Sequence, residues 1–428
     1  MQETGGAPLK FFLPARCTVK STIDGPQEDT MSLTAKPTAV PQESKSPENP
    51  LKALIRFGQS VWFDYIRRDL ITTGQLVRLI EDDGLRGMTS NPTIFEKAFS
   101  TSPDYTKPLA ELAKRGGLDA KGIYEHLAIR DIQDAADALR GVYDQTKRRD
   151  GYVSLEVSPY VAHKTQETID EARRLWKTVG RDNVMIKVPG TPEGIPAIRE
   201  LIGSGININV TLLFAQDVYE KVAEAYIAGL EDLAGRGGDL SRIGSVASFF
   251  VSRIDALIDG KIDATLKNPP AGSDQALLRS LQGKVAIANA KLTYQLYKKI
   301  FSGPRWQALA GRGAETQRVL WASTGTKNPA YSDVLYIEEL IGPDTVNTVP
   351  PATFDAFRDH GKPRASLEQD LDAAHKTMVD LGRAGISMKA VTDQLTDDGV
   401  KSFADAFDKL LAAVETQAKI ATGSSPSR

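Results

Sequence analysis

Eight short strand-like runs recur along this chain, each followed by a longer stretch with helical spacing. They are Val61–Tyr65, Leu85–Ser90, Tyr152–Ser158, Val184–Pro189, Asn207–Leu213, Val246–Ser252, Arg318–Thr324 and Asp344–Pro350. The intervening stretches carry apolar residues at three- and four-residue steps, as in Ile169–Trp176 and in Val218, Val222 and Tyr226. Gly180 and Gly203 read as helix stops, and Ser366 with Gln369 as a capping box. Eight β-then-α units in order predict an α/β fold, a parallel right-handed (β/α)8 TIM barrel. A doubly wound open sheet is the alternative, but it usually has fewer strands, and no GxGxxG opens a helix after the first strand.

Extra segments decorate this frame. Residues 274–317 keep a helical period through Leu277, Leu278, Leu281, Val285 and Ala288, which predicts one long helix and a loop. Ser366–Leu381 is expected to be the eighth barrel helix. Phe403–Val414 is expected to be a further helix, packed on the barrel after an acidic loop, Asp397-Asp398-Gly399.

The flanks differ from this rhythm. Residues 1–49 are rich in Pro, Ser, Thr and Lys, and no helical or strand period survives there. Such a stretch cannot bury enough apolar surface to offset its ordering entropy, so it reads as a disordered extension. A targeting segment, or a true start at Met31, is the alternative reading. The domain division is therefore 1–49 extension, 50–420 barrel and 421–428 flexible tail.

Composition narrows the function. With 53 Lys+Arg against 55 Asp+Glu the formal net charge is −2, and no global basic excess favours nucleic acid or an anionic membrane. No apolar run approaches the ~20 residues of a membrane span. The single cysteine, Cys17, cannot form an internal disulfide and fits a reducing compartment, which points to the cytoplasm. The four histidines show no metal-binding spacing, so no metal site is expected.

The informative feature is what alternates along the strands. In Val184-Met-Ile-Lys-Val188 the aliphatic residues share one face and Lys187 lies on the other. In Tyr152–Ser158, Ser154, Glu156 and Ser158 oppose Val153, Leu155 and Val157. Asn207, Asn209 and Thr211 likewise oppose Ile206, Ile208, Val210 and Leu212, and Asp64 interrupts an apolar run. In a barrel the apolar face meets the helices, while the other opens on the active site near the C-terminal end. Asp64, Glu156, Lys187, Asn209 and Thr211 are therefore expected to converge. A buried lysine in an apolar frame has a depressed pKa, and its neutral amine attacks carbonyls to form an imine. The protonated imine is an electron sink for carbon–carbon cleavage. Glu156 and Asp64 are the available acids and bases, and Thr211 is placed to hold a water. No metal or organic cofactor is required. The competing reading is a Lys187–Glu156 ion pair that only specifies the fold.

A second constellation, Trp321-Ala-Ser-Thr-Gly-Thr-Lys327, ends the seventh strand. Hydroxyls, backbone N–H groups and a cation at a strand end suit a phosphate, and Arg253 beyond the sixth strand adds a fork. A solvated loop is the bland alternative.

Taken together, Gly87-Met-Thr-Ser-Asn-Pro-Thr93, Ser154-Leu-Glu-Val157, Val184-Met-Ile-Lys-Val-Pro189, Ile208-Asn-Val-Thr-Leu-Leu-Phe214, Ser248-Phe-Phe-Val-Ser-Arg253 and Ala322-Ser-Thr-Gly-Thr-Lys-Asn328 resemble the transaldolases, over about residues 50–415. The resemblance implies a Schiff-base barrel enzyme of the pentose phosphate pathway acting on sugar phosphates. It would move a dihydroxyacetone unit from sedoheptulose 7-phosphate to glyceraldehyde 3-phosphate. By that resemblance Lys187 forms the imine, Asp64 takes the C4 hydroxyl proton, and Glu156 with Thr211 works through a water. Thr89, Asn91, Ser154, Asn209, Ser248 and Phe250 fall on substrate positions, Arg253 on a phosphate position, and Ser323 beside a second one. Many relatives carry an arginine soon after that serine; here Lys327 is expected to supply the charge. Simple aldolases of the same superfamily tend to carry a tyrosine where this chain has Phe250 and another residue at Glu156, so both favour transfer. A non-catalytic sugar-phosphate binder would need none of the proton chemistry of Lys187, Glu156 and Asp64.

Overall fold

The structure, a computed structural model, describes residues 48–422. The expected extension through residue 47, with Cys17, and the tail beyond residue 422 lie outside the described residues. The eight strands are β1 Gln59–Phe63, β2 Gly87–Thr89, β3 Tyr152–Glu156, β4 Val184–Pro189, β5 Ile208–Leu213, β6 Ser245–Phe250, β7 Arg318–Ala322 and β8 Thr345–Val349. Each pairs in parallel with the next, and β8 pairs with β1 from Gln59↔Thr345 to Phe63↔Val349, which closes the barrel. An open sheet is thereby ruled out. All eight predicted runs fall on these strands, with ends that differ by at most two residues.

The aliphatic faces explain the closure. Val184, Ile186 and Val188 are 0% exposed, and each such side chain contributes about 1.5–3 kcal/mol when fully buried. Gly87 in β2 is dictated by close approach: a Cβ there would lie 2.5 Å from the Trp62 indole of β1. The lower end of the barrel is filled by a polar plug. Asp150, just before β3, accepts from Ser60 Oγ (2.7 Å), Trp62 Nε1 (3.2 Å) and Arg318 Nη2 (2.9 Å), and Arg318 Nη1 donates to Ser60 Oγ (2.8 Å).

The segments after the strands depart from expectation in four places. The helix that follows β8 is Pro351–His360, with proline at its first turn; Ser366–Leu381 is not the eighth barrel helix. Ser366 caps nothing. Its Oγ accepts the Ile341 N–H, and the later helix Leu371–Arg383 starts from Asp370. Residues 274–317 form three helices, Gln275–Leu281, Val285–Ile300 and Pro304–Ala310, rather than one. The first break falls at Gly283, whose φ of +68° leaves the helical region and whose N–H is held by Asp259 Oδ1. Asp397-Asp398-Gly399 is no loop, for one continuous helix spans Met388–Thr422. It packs on the helices Pro92–Thr101 and Thr106–Arg115 and reaches β5. Among the described residues no helix is long and apolar enough to cross a membrane.

Candidate active site

The C-terminal ends of the strands surround a cavity of about 390 Å³. Lys187 enters it from β4. Register sets Lys187 beside Glu156 of β3 and Asn209 of β5, so the three inward residues meet at one level. Lys187 is 4% exposed. Its Nζ lies 3.3 Å from Glu156 Oε2 and donates to the Ser90 carbonyl at 3.2 Å. The frame around the amine is therefore polar on the β2–β3 side and aliphatic only behind β4.

The carboxylates differ in setting. Burial pushes Glu156 above the usual carboxylate range; Lys187 opposes this, and the negative Asp64 adds to it. Glu156 Oε2 makes no aligned hydrogen bond, and neither does the fully buried Thr211 Oγ1. The Thr211 hydroxyl, on the strand next to Lys187, is thus left free to hold a proton carrier. Asp64 lies one residue beyond β1, its N–H still paired with the Val349 carbonyl (2.9 Å). Its carboxylate accepts from Thr89 Oγ1 at 2.7 Å. Thr89 spends its one proton on Asp64, so Thr348 Oγ1, 2.6 Å away, donates to Thr89. Burial raises the pKa of Asp64, against the pull of Lys187, Thr89, Arg253 and Lys327. Burial thus shifts both carboxyls upward, in the direction that favours holding a proton.

The β2 loop shows why Thr-Ser-Asn-Pro is needed locally. Ser90 Oγ ties the loop to the Ser154 carbonyl (2.7 Å), Asn91 caps the helix Pro92–Thr101 through Ile94 N (3.0 Å), and Pro92 occupies the first turn. Asn91 Nδ2 has no partner among the described residues and belongs to a residue lining the cavity. Ser154 and Asn209 do not line the cavity. They form a layer beneath it, in which Asn209 donates to Ser154 Oγ (3.0 Å) and accepts from Ser248 Oγ (2.7 Å). Ser248 itself reaches the cavity.

Phe250, Arg253, Ser323 and Lys327 line the cavity from the ends of β6 and β7. The side chains of Arg253 and Lys327 make no hydrogen bond or ion pair with any described residue. Burial lowers the pKa of both; at Lys327 the like charge of Arg253 adds to it. Two desolvated, unpaired cations on one wall are an anion site. The Arg253 guanidinium lies over the Phe250 ring, 5.1 Å from its centroid. Ser323, at φ +56°, shares a hydrogen bond with Ser252 Oγ (3.0 Å).

Sequence reasoning missed several residues that line this cavity, among them Tyr65, Thr348, Lys97 and Phe403. Tyr65 and Thr348 sit at strand ends. Lys97 lies on the helix after β2, and Phe403 arrives on the C-terminal helix. No strand alternation flags Lys97 or Phe403, and only the tertiary fold brings them in.

The comparisons agree with this geometry. The Transaldolase/Fructose-6-phosphate aldolase family model matches residues 61–414. The chain is 49% identical over 375 residues to "Transaldolase 2" of Nostoc sp., covering 87% of this chain and 98% of that protein. It is 47% identical to "Transaldolase" of Trichodesmium erythraeum, over 87% of this chain and 98% of that protein. It is also 47% identical to "Transaldolase" of Thiobacillus denitrificans, over 86% and 99%. The lysine–carboxylate centre, the barrel that carries it and these matches together place the chain in the transaldolase/fructose-6-phosphate aldolase family.

Proposed function

We propose that this enzyme is a transaldolase that moves a dihydroxyacetone unit between sugar phosphates through an imine on Lys187. One observation carries the reading: a buried lysine amine pairs with Glu156 and lies within electrostatic reach of Asp64, on a cavity that also bears two cations whose side chains are unpaired. Arg253 and Lys327, with Ser323, hold the donor's phosphate. Lys187 Nζ adds to the C2 carbonyl, and water leaves to give the protonated imine. Glu156, working with Thr211 Oγ1 through a water, moves the protons of that addition and of its reversal. Asp64 accepts the C4 hydroxyl proton, the C3–C4 bond breaks, and its electron pair passes into the imine. The aldose phosphate departs. An acceptor aldehyde then takes its place, Asp64 returns the proton, and hydrolysis frees the new ketose. Thr89 orients Asp64, while Asn91 and Ser248 meet the sugar hydroxyls and the Ser154–Asn209 layer holds Ser248.

Sedoheptulose 7-phosphate and glyceraldehyde 3-phosphate are the proposed substrate pair, giving erythrose 4-phosphate and fructose 6-phosphate in the pentose phosphate pathway. Residues 50–420 form the catalytic unit of this reading, and the near-neutral charge and single cysteine support a cytoplasmic setting. The deciding experiment follows glyceraldehyde 3-phosphate release from fructose 6-phosphate with and without erythrose 4-phosphate. Sustained release that requires the acceptor is expected; equal release without it would make the protein an aldolase.

Phe250→Tyr probes the same distinction. Its ring lines the cavity, so a phenol there places a proton donor near the carbanion. Acceptor-free cleavage is expected to rise about 10²-fold, the low end of what a positioned acid contributes. Unchanged acceptor dependence in this variant would remove Phe250 from the control of transfer.

A further inference from the structure

The C-terminal helix places one side chain over the reacting amine. Phe403 is 3% exposed and lines the cavity. Lys187 Nζ lies 5.8 Å and the Arg253 guanidinium 5.9 Å from the centroid of its ring. Arg253 thus has two rings within cation–π reach, Phe250 and Phe403. We propose that Phe403 is a specificity-determining residue, a roof that keeps water from the three-carbon intermediate until an acceptor sugar arrives. The proposal rests on the transaldolase reading and deepens it.

The roof is held from both sides along one helix stripe. One turn before Phe403, Gly399 meets β5 so closely that a Cβ would lie 2.9 Å from Leu212 Cδ2. Leu212 adopts φ +59° at the point where the β5–β6 register shifts, next to Thr211. One turn after Phe403, Phe407 packs edge-on against Tyr124 (5.6 Å) and Tyr160 (5.8 Å). A ring fixed at both neighbouring turns has little freedom to swing away. Strain at Leu212 is tolerated where the surroundings over-determine it, and here it seats the helix beside the acid/base pair.

The chemistry gives the roof a task. After cleavage of fructose 6-phosphate the dihydroxyacetone fragment stays on Lys187 as an enamine. A proton from water on its carbon gives the iminium. Addition of one water then breaks the C–N bond, releasing dihydroxyacetone and the lysine amine. Transfer succeeds only if this sequence is slower than capture by the acceptor aldehyde. An aromatic face beside Nζ excludes the attacking water from that side of the imine.

The test measures free dihydroxyacetone against transfer to erythrose 4-phosphate, both from fructose 6-phosphate, in the wild type and in Phe403→Ala and Phe403→Leu. The ratio of release to transfer is expected to rise at least about tenfold in Phe403→Ala and by a smaller factor in Phe403→Leu. If Phe403→Ala does not fold, the rise in Phe403→Leu carries the proposal. A folded variant that loses release and transfer in equal proportion shows a structural role only and overturns it. Wild-type enzyme that releases dihydroxyacetone freely without acceptor would instead overturn the transaldolase reading.

Discussion

Lys187→Ala is expected to lower turnover by at least about 10⁴-fold, the order of effect that follows deletion of a covalent nucleophile. The reason is positional. Lys327 and Lys97 also line the cavity, but only Lys187 pairs with Glu156 while also lying within electrostatic reach of Asp64. Borohydride reduction during incubation with fructose 6-phosphate checks the chemistry directly. A three-carbon adduct should appear on the peptide containing Lys187 in the wild type and be absent from the variant. Appreciable residual transfer, or an adduct on Lys327, would show that a different amine carries the reaction. The fold should survive, because Glu156 has the raised pKa of a carboxyl that neutralises easily once its partner is gone.

The second large effect is on stability and lies at the other end of the barrel. Burial alone would raise the pKa of Asp150, but Arg318, Ser60 and Arg86 more than offset it and hold the group below its ordinary 3.8. Asp150→Ala leaves the Arg318 guanidinium, itself 5% exposed, without its ion pair. Removing one partner of a buried pair costs about 3–5 kcal/mol. The variant's urea midpoint should fall accordingly; a midpoint within error of wild type would show that the plug is replaceable. The sign with pH follows from the depressed native value. The stabilisation is complete above the unfolded-state pKa and is lost as pH falls through the lower folded value. Wild-type stability should therefore drop steeply below about pH 4, and the variant's should drop less.

Much of this molecule was legible beforehand because its strands obey a period of two on both sides. Val184, Ile186 and Val188 announce an outer face, and Lys187 is the exception that names the inner one. Glu156 and Thr211 stand out by the same alternation, and Asp64 as a charge that interrupts an apolar run. What failed was everything decided by distant contacts. Asp397-Asp398-Gly399 has poor helix propensity, yet it stays helical because Leu395, Gly399 and Phe403 form one buried stripe on the barrel. Leu277 to Ala288 keep a helical period, yet Asp259 from another helix fixes the turn at Gly283. Phe403 looked like ordinary helix packing, since no local pattern reveals which cavity a C-terminal helix will cover. The Asp150–Arg318 plug was also hidden, because its members are far apart in the sequence and only closure makes them neighbours.

Closure of β1 on β8 has a consequence for the chain while it is being made. Gln59–Phe63 finds β2 soon after, but its other edge waits for Thr345–Val349, some 280 residues later. At about 5–20 residues per second, that wait lasts roughly 14 to 56 s. Throughout it, a strand reading Gln-Ser-Val-Trp-Phe offers unpaired N–H and C=O groups and an apolar surface to any neighbouring nascent chain. Slower translation or limited chaperone supply is therefore expected to lower the yield of folded enzyme. Polar substitutions on β1 will register first as soluble protein recovered from cells, before any change in the finished catalyst.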